Sequence, residues 1–300
     1  MAAILEFGPY ALFRQTHGDA TLRLWTGERD GDGRGEAREG FGWRSVAALH
    51  RLLARHPGAV VACHVPIGRL HPLGPRAAAY RLLLRHRGPL LGLDFNDAVR
   101  LTPTALAVLE RCDLYFKREL PRDRSALLAS GAMAKQARLA RQRHKLRPVS
   151  LGLAPWRIAD LPERPPEKSS DVFFAGTLSP HNRVRRQGAA LLQRLAAEGY
   201  RIDHAPGRLE RPEYLRRCAA AWLVWSPEGK GWQCFRPFEA AAAGSVPLIN
   251  AGTVEMPHPL LPGEHCRHYD AGEAGGGEDL LRVAREALAD KERLLRMAAA

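Results

Sequence analysis

Residues Trp225–Asn250 read W-S-P-E-G-K-G-W-Q-C-F-R-P-F-E-A-A-A-A-G-S-V-P-L-I-N, and their pattern decides the fold. An apolar run, Ala219-Ala-Ala-Trp-Leu-Val-Trp225, ends here and reads as a buried strand or as a helix running into one. A loop with Glu228, Gly229, Lys230, Gly231, Trp232 and Gln233 follows. A short helix is then expected from about Pro237 to Ala243, closed by Gly244, with proline near its start and glycine past its end. Val246-Pro-Leu-Ile-Asn250 reads as the next strand. Strand, loop, helix and strand make a βαβ unit, whose ligands bind at the carboxyl ends of the strands.

The residues expected at that edge have a definite chemistry. Arg236 and Glu239 are three apart and project from neighbouring positions of one helical turn. A guanidinium is a fork of donors suited to phosphate oxygens. A carboxylate can accept from both adjacent hydroxyls of a ribose, and a helix N-terminus favours an anion. The same spacing also describes an Arg–Glu pair that only solvates a helix surface.

Ser226-Pro-Glu-Gly229, followed by Arg236-Pro-Phe-Glu239-Ala-Ala-Ala-Ala-Gly244-Ser-Val-Pro247, resembles the donor-binding motif of glycosyltransferases of GT-B architecture. It looks most like the family-one and exostosin-like branches, with the pattern R-x-x-E-A-x-A-x-G-x-x-P. The resemblance covers about Asp171 to Asp270 and is weak over the first half of the chain. It implies an α/β protein of two Rossmann-like domains, the first one reduced, with a cleft between them. It further implies a nucleotide-sugar donor whose ribose is held by Glu239. Glu228, Lys230 and Arg236 would line the donor loop, with the basic groups meeting the diphosphate.

Composition agrees with a globular chain. The 300 residues suffice for two domains, and 45% of them are hydrophobic. No apolar run reaches the length of a membrane span, and Met1-Ala-Ala-Ile-Leu-Glu6 lacks the pattern of a signal peptide, so a cytoplasmic protein is expected. Cys63, Cys112, Cys218, Cys234 and Cys266 show no paired spacing, which favours buried free thiols over zinc or disulfides. A net charge of +13 and a pI near 10.1 favour anionic partners. No nucleic-acid motif accompanies that charge, so no nucleic-acid partner is expected.

Taken in order, residues 1–27 hold two strand candidates, Ala3–Phe7 and Thr21–Trp25, around a loop with Arg14 and His17. Residues 27–42 are Gly-rich and charged and read as a loop. Helices at Trp43–His56, Arg76–His86 and Pro103–Arg111 then alternate with strands at Gly58–His64, Leu90–Asp94 and Cys112–Phe116, a parallel-sheet pattern. His64 ends one strand, and Asp94-Phe-Asn-Asp97 follows another. An inverting transferase needs a base within reach of the acceptor hydroxyl. His64, Asp94 and Asp97 are the candidates; the alternatives are a structural histidine and turn-capping aspartates. Asp113–Leu120 resembles a segment that closes the first domain in bacterial glycosyltransferase-like proteins. There Lys117 and Arg118 would enter the interdomain cleft or face water. Residues 132–147 form a basic amphipathic stretch that suits either a solvated helix or an anionic membrane surface.

The prolines between 148 and 170 oppose helix and central strand, so this segment is the expected linker between domains at 1–147 and 171–300. Asp171–Ala175 opens the second domain as a buried strand, Gly176-Thr177 turns, and a long helix begins near Arg183. Such a strand–Gly–helix turn is an anion cradle or an ordinary βα turn. The resemblance places Gly176, Thr177 and Arg183 on the phosphate side. Strands Tyr200–His204 and Cys266–Tyr269, a helix at Arg211–Ala220, and one or two helices over Glu278–Met297 complete the pattern.

The expected activity is transfer of a sugar from a nucleotide-sugar to an acceptor hydroxyl in bacterial glycan synthesis, without a metal or cofactor. Three rivals stay open: a sugar-nucleotide epimerase or hydrolase using His64, Asp94, His181 or His258; a non-catalytic nucleotide-sugar-binding protein; and a basic nucleic-acid-binding protein.

Overall fold

The computed structural model describes residues 4–8, 21–23, 41–66, 70–128, 133–153, 155–179, 182–205, 207–272 and 277–300. Arg14, His17, His181 and most of the Gly-rich segment 27–42 lie outside the described residues. The chain forms two compact units, Met1–Val149 with Val254–Met256, and Ser150–Thr253 with Pro257–Ala300.

In the first unit, strands β1 (Ile4–Phe7), β2 (Thr21–Arg23), β3 (Val60–His64), β4 (Leu90–Asp94), β5 (Leu114–Lys117) and β6 (Leu146–Pro148) form a six-stranded sheet in the order β2-β1-β3-β4-β5-β6. Every pair is parallel. Helices α1 (Trp43–Arg55), α2 (Pro75–Arg85) and α3 (Pro103–Arg111) run between them, as the alternating pattern requires. Thr102 shows why α3 starts where it does: its hydroxyl accepts from Ala105 N at 3.1 Å, and Pro103 fills the first helical position. Leu49, Phe7, Val61, Leu83, Leu90, Leu109 and Tyr115 are buried in one core.

Two short helices follow, α4 (Ser125–Leu128) and α5 (Met133–Gln142). The basic stretch expected over 132–147 is therefore not one helix. It ends at Gln142, makes a 3₁₀ turn at Arg143–Lys145 and becomes β6, whose Leu146 aligns with Tyr115. Its cations are partly engaged: Arg138 makes two 2.7 Å bonds to Glu110, and Lys135 donates to Leu101 O at 2.9 Å. Pro148, taken as the first linker residue, ends β6. It is tolerated because β6 is an edge strand.

In the second unit, β7 (Ser170–Ala175), β8 (Ile202–Ala205), β9 (Ala221–Trp225), β10 (Val246–Asn250) and β11 (Arg267–Tyr269) form a five-stranded parallel sheet in the order β11-β10-β9-β7-β8. Helices α6 (Arg183–Ala197), α9 (Glu278–Ala289) and α10 (Lys291–Ala299) cover one face around Phe174, Trp225 and Leu248. Helices α7 (Arg211–Ala219) and α8 (Arg236–Ala242) cover the other around Phe173, Val224 and Ala240. The apolar run ending at Trp225 is thus split: Ala219 closes α7 and Ala221 opens β9. Gly188 lets α6 approach the sheet, since a Cβ there would lie 2.1 Å from Trp225 Cζ2.

Both sheets share one winding order, in which the first strand of the unit lies between the second and the third. The direction in which strands are added reverses between the first and third strands, and their carboxyl ends open a crevice. In the first unit that crevice lies beyond β1 and β3, in the second beyond β7 and β9. Each unit is therefore a doubly wound Rossmann-like sheet.

Candidate functional site

At the crevice of the second unit, Gly176-Thr177 leaves β7 and Ser226–Gln233 leaves β9. The β9 loop is fastened from beneath. Glu228 N donates to Asn250 Oδ1 at 2.9 Å, and Asn250 Nδ2 returns a 3.1 Å bond to Glu228 Oε2. Trp232 Nε1 donates to Asn250 O at 3.0 Å. From α6, Asn182 Nδ2 donates to the carbonyls of Glu228 at 3.0 Å and Gly229 at 2.9 Å. Glu228 thus serves as a latch of the loop, while Lys230 stands exposed at its tip. Asn182 Oδ1 also caps α6 by accepting from Arg185 N at 2.9 Å. The start of α6 already has an acceptor, so the cationic character of the crevice comes from side chains.

Those side chains are Arg236 and Arg185. Arg236, the first residue of α8, lies over the Phe174 ring at 5.1 Å and donates from Nη2 to Ala175 O at 2.9 Å. Its Nε and Nη1 are buried and have no hydrogen-bond partner among the described residues. Gly176 makes room for it: a Cβ there would lie 3.0 Å from Arg236 Nη2 and 3.2 Å from Phe174 Cζ. Arg185 donates from Nε to Glu228 O at 2.9 Å. Burial, and then the charge of Arg236, pull its guanidinium below the ordinary arginine range. Two guanidiniums thus act on one another, and two donors of Arg236 are unused among the described residues. Buried donors of this kind are costly unless a ligand supplies acceptors.

Glu239 lies one turn along α8 and is buried. Its Oε1 receives Arg157 Nη1 at 3.0 Å and approaches Arg211 Nη1 at 3.5 Å. Arg157 comes from a 3₁₀ turn at Pro155–Arg157, inside the segment expected to be only a linker. Its guanidinium stacks on the Phe235 ring at 3.4 Å, and Arg211 Nη1 donates to its carbonyl at 3.2 Å. Burial lowers the Arg157 pKa, against the pull of Glu239.

Arg236, Glu239 and Gly176 therefore share the edge where the motif predicted them. Thr177 contributes a carbonyl, 3.5 Å from Arg185 Nη1, and its side chain is exposed; Arg183 is exposed as well. Arg185, Arg157, Arg211, Asn182 and Asn250 were not singled out as site residues. Arg185 follows Arg183 along the same helix start. Nothing in the spacing of Arg157 points to Glu239, which lies 82 residues on.

The first unit gathers charge at the carboxyl ends of β3, β4 and β5, but differently. Asp94, 1% exposed, accepts from Lys117 Nζ at 3.0 Å, Tyr115 OH at 2.9 Å and Asn96 Nδ2 at 2.7 Å. His64, 2% exposed, faces Glu6 at 3.2 Å, and its carbonyl accepts from Tyr80 OH. Asp97 pairs with Arg118 and keeps its side chain 49% exposed. Of the two alternatives for Lys117 and Arg118, facing water does not hold, since both side chains are buried. Asp94 and Lys117 are paired across β4 and β5, which brings opposite charges together at the strand ends. Asp94 and His64 are thereby committed to internal contacts, and Asp97 alone of the three presents its carboxylate to solvent. His258 is exposed. Among the described residues no three His, Cys, Asp or Glu gather as a metal site. No helix among them is long and apolar enough to cross a membrane.

No protein-family description and no curated protein matches the chain. Solved structures do. The chain is similar to an α-glucosyltransferase in complex with UDP and a 13-mer DNA containing a HMU base, with TM-score 0.59 and 7% identity, covering 99% of this chain and 93% of that one. The chain has the GT-B glycosyltransferase fold. It is also similar to Anabaena HepE in complex with UDP, with TM-score 0.53 and 14% identity over 100% of this chain and 93% of that one. For the catalytic domain of starch synthase IV from Arabidopsis thaliana, bound to ADP and acarbose, the TM-score is 0.53 at 12% identity over 88% and 74%. At these identities the likeness is one of fold.

Proposed function

We propose that the chain is a metal-independent glycosyltransferase that moves a sugar from a nucleotide-sugar to an acceptor hydroxyl. The observation that carries this reading is Arg236, with two buried donors unpartnered beside Arg185 at the β7–β9 crevice. A diphosphate supplies the acceptors and the negative charge those guanidiniums lack. Related folds support the choice of ligand: HepE is known with UDP and with UDP-glucose, and the α-glucosyltransferase with UDP.

In this mechanism Glu239 accepts from the ribose hydroxyls. Arg236 Nε and Nη1 and the Arg185 guanidinium hold the diphosphate, with Lys230 reaching in from the loop tip. The acceptor oxygen forms its bond to the anomeric carbon as the bond from that carbon to the phosphate oxygen breaks. The negative charge that develops on the leaving diphosphate is met by the fixed guanidiniums, the preorganised electrostatic stabilisation on which such transfers depend. The acceptor is bound by the first unit, where Asp97 is the candidate to receive its proton. We place the reaction in bacterial glycan synthesis, in the cytoplasm. The exposed Met133 and the basic residues of α5 would serve for peripheral contact with an anionic membrane.

The test is a thermal shift against UDP, GDP, ADP, CMP, dTDP and their sugars, with and without EDTA, on the native protein and Glu239→Ala. A ligand that binds only the folded state raises its apparent stability. One nucleotide stabilising the native protein but not the variant, in EDTA, followed by turnover with its sugar, is the expected result. No shift with any of them while both proteins remain folded would defeat the reading.

A further inference from the structure

We infer that Arg157 is a positioning residue of the donor site, which orients Glu239 and so sets selectivity for a ribonucleotide over its 2′-deoxy counterpart. The inference rests on the donor-site reading above but concerns a residue that the motif does not contain.

Glu239 is asymmetric. Both cations that touch it, Arg157 and Arg211, approach Oε1. Among the described residues no hydrogen bond reaches Oε2. A carboxylate accepts through two oxygens, so holding one by cations fixes the plane of the group and leaves the other for a ligand. Arg157 is itself braced. Its guanidinium lies flat on Phe235 at 3.4 Å, and its carbonyl accepts from Arg211 at 3.2 Å. Phe235 immediately precedes Arg236, so the brace belongs to the same turn that presents the phosphate-binding guanidinium. A planar, stacked guanidinium loses little freedom on pairing, which suits a fixed orienting role. Removing Arg157 leaves the Glu239 carboxylate to turn between Arg211 and solvent. Its bond to a ribose hydroxyl then becomes weaker, while the guanidiniums that hold the diphosphate are untouched.

Calorimetric titration separates these effects. UDP and 2′-deoxy-UDP are compared, or the ADP, GDP or CDP pair if the native protein prefers one of those. The native protein is expected to bind the ribonucleotide about tenfold more tightly, the worth of one charge-assisted hydrogen bond. Glu239→Gln and Arg157→Gln should each bring the ratio close to one, and the double variant should lower it no further. Arg236→Met should weaken both nucleotides alike and preserve the ratio. A folded Arg157→Gln that keeps the native ratio overturns the inference and leaves the donor site standing. If that variant does not fold, Arg157→Lys decides: an ammonium cannot reproduce the stacked fork, so the ratio should fall several-fold, and an unchanged ratio overturns the inference. A native protein that binds both nucleotides equally also overturns it. A native protein that binds none defeats the donor reading and this inference with it.

Discussion

Arg236→Met is the substitution whose effects on binding and on stability should run in opposite directions. Two of the three nitrogens of Arg236, Nε and Nη1, are buried and unpartnered. Each is expected to give a charge-assisted bond to phosphate, worth about 1.5–3 kcal/mol. The residue is only half-buried, so the lower end applies and the two together amount to about 3 kcal/mol. At about 1.4 kcal/mol per decade, affinity for a nucleoside diphosphate should fall roughly 100-fold. In the free protein the balance differs. The variant loses the 2.9 Å bond to Ala175 O and a cation–π contact over Phe174 worth about 0.5–1 kcal/mol. It also removes two unsatisfied buried donors, each costing about 1–3 kcal/mol, and relieves the repulsion of Arg185. Methionine, unbranched and flexible, can cover Phe174 in its place. The free variant should therefore be as stable as the native protein or more so, by up to about 2 kcal/mol. Urea unfolding without ligand and calorimetry with the preferred diphosphate measure the two quantities. A variant that binds within threefold of native and unfolds more easily would show that Arg236 serves the fold and not a ligand.

Two further outcomes test the second unit. Gly188→Ala places a methyl 2.1 Å from Trp225 Cζ2, so α6 must move off the sheet; overpacking of this kind costs about 1–3 kcal/mol, read as a lower urea midpoint. At Asp171, burial alone would raise the pKa, but the Arg201 side chain at 3.3 Å and its backbone N–H at 2.9 Å outweigh burial and hold the carboxyl below the usual range. Its folded pKa is depressed, so its stabilising contribution is present above the ordinary value near 4 and is lost as pH falls through the folded one. Asp171→Asn should consequently lose less stability than the native protein between pH 7 and pH 3 in urea unfolding.

The fold was largely legible because alternation of helix and strand is a local signal. Leu90–Asp94, Pro103–Arg111 and Val246–Asn250 have the bounds their apolar patterns and flanking Pro and Gly foretell. β6 was not legible. It has three residues, one of them proline, and it follows a helical run of arginines; only pairing with β5 makes it a strand. The site divides in the same way. Arg236 and Glu239 are neighbours on one helical turn, so their spacing foretells that they lie together. Arg157 and Arg211 meet Glu239 through tertiary folding, and no sequence interval encodes that meeting. Asp94 was correctly read as lying at a strand end, but its availability depended on Lys117, which sits beside it only because β4 and β5 pair in that register.

The two sheets share a winding order, yet the charges at their strand ends are arranged in opposite ways. At the ends of β4 and β5, beside the first unit's crevice, the charges close on one another: Asp94 receives Lys117, Tyr115 and Asn96, and Lys117 also donates to Ala98 O at 2.7 Å. A buried pair so enclosed can hold strand ends in place, and removing either partner would leave a lone buried charge. Beyond β7 and β9 the charges stay open: Arg185 and Arg236 repel, and Arg236 keeps two donors in reserve. Arg236 and Arg185 have structural contacts, to Ala175 O, the Phe174 ring and Glu228 O, but the two unsatisfied donors and the mutual repulsion cost stability. An anionic ligand with several oxygens removes the repulsion and fills the donors at once. The crevice of the second unit is thus the one the proposed donor site uses, whereas Asp94 and His64 of the first unit are buried in contacts of their own.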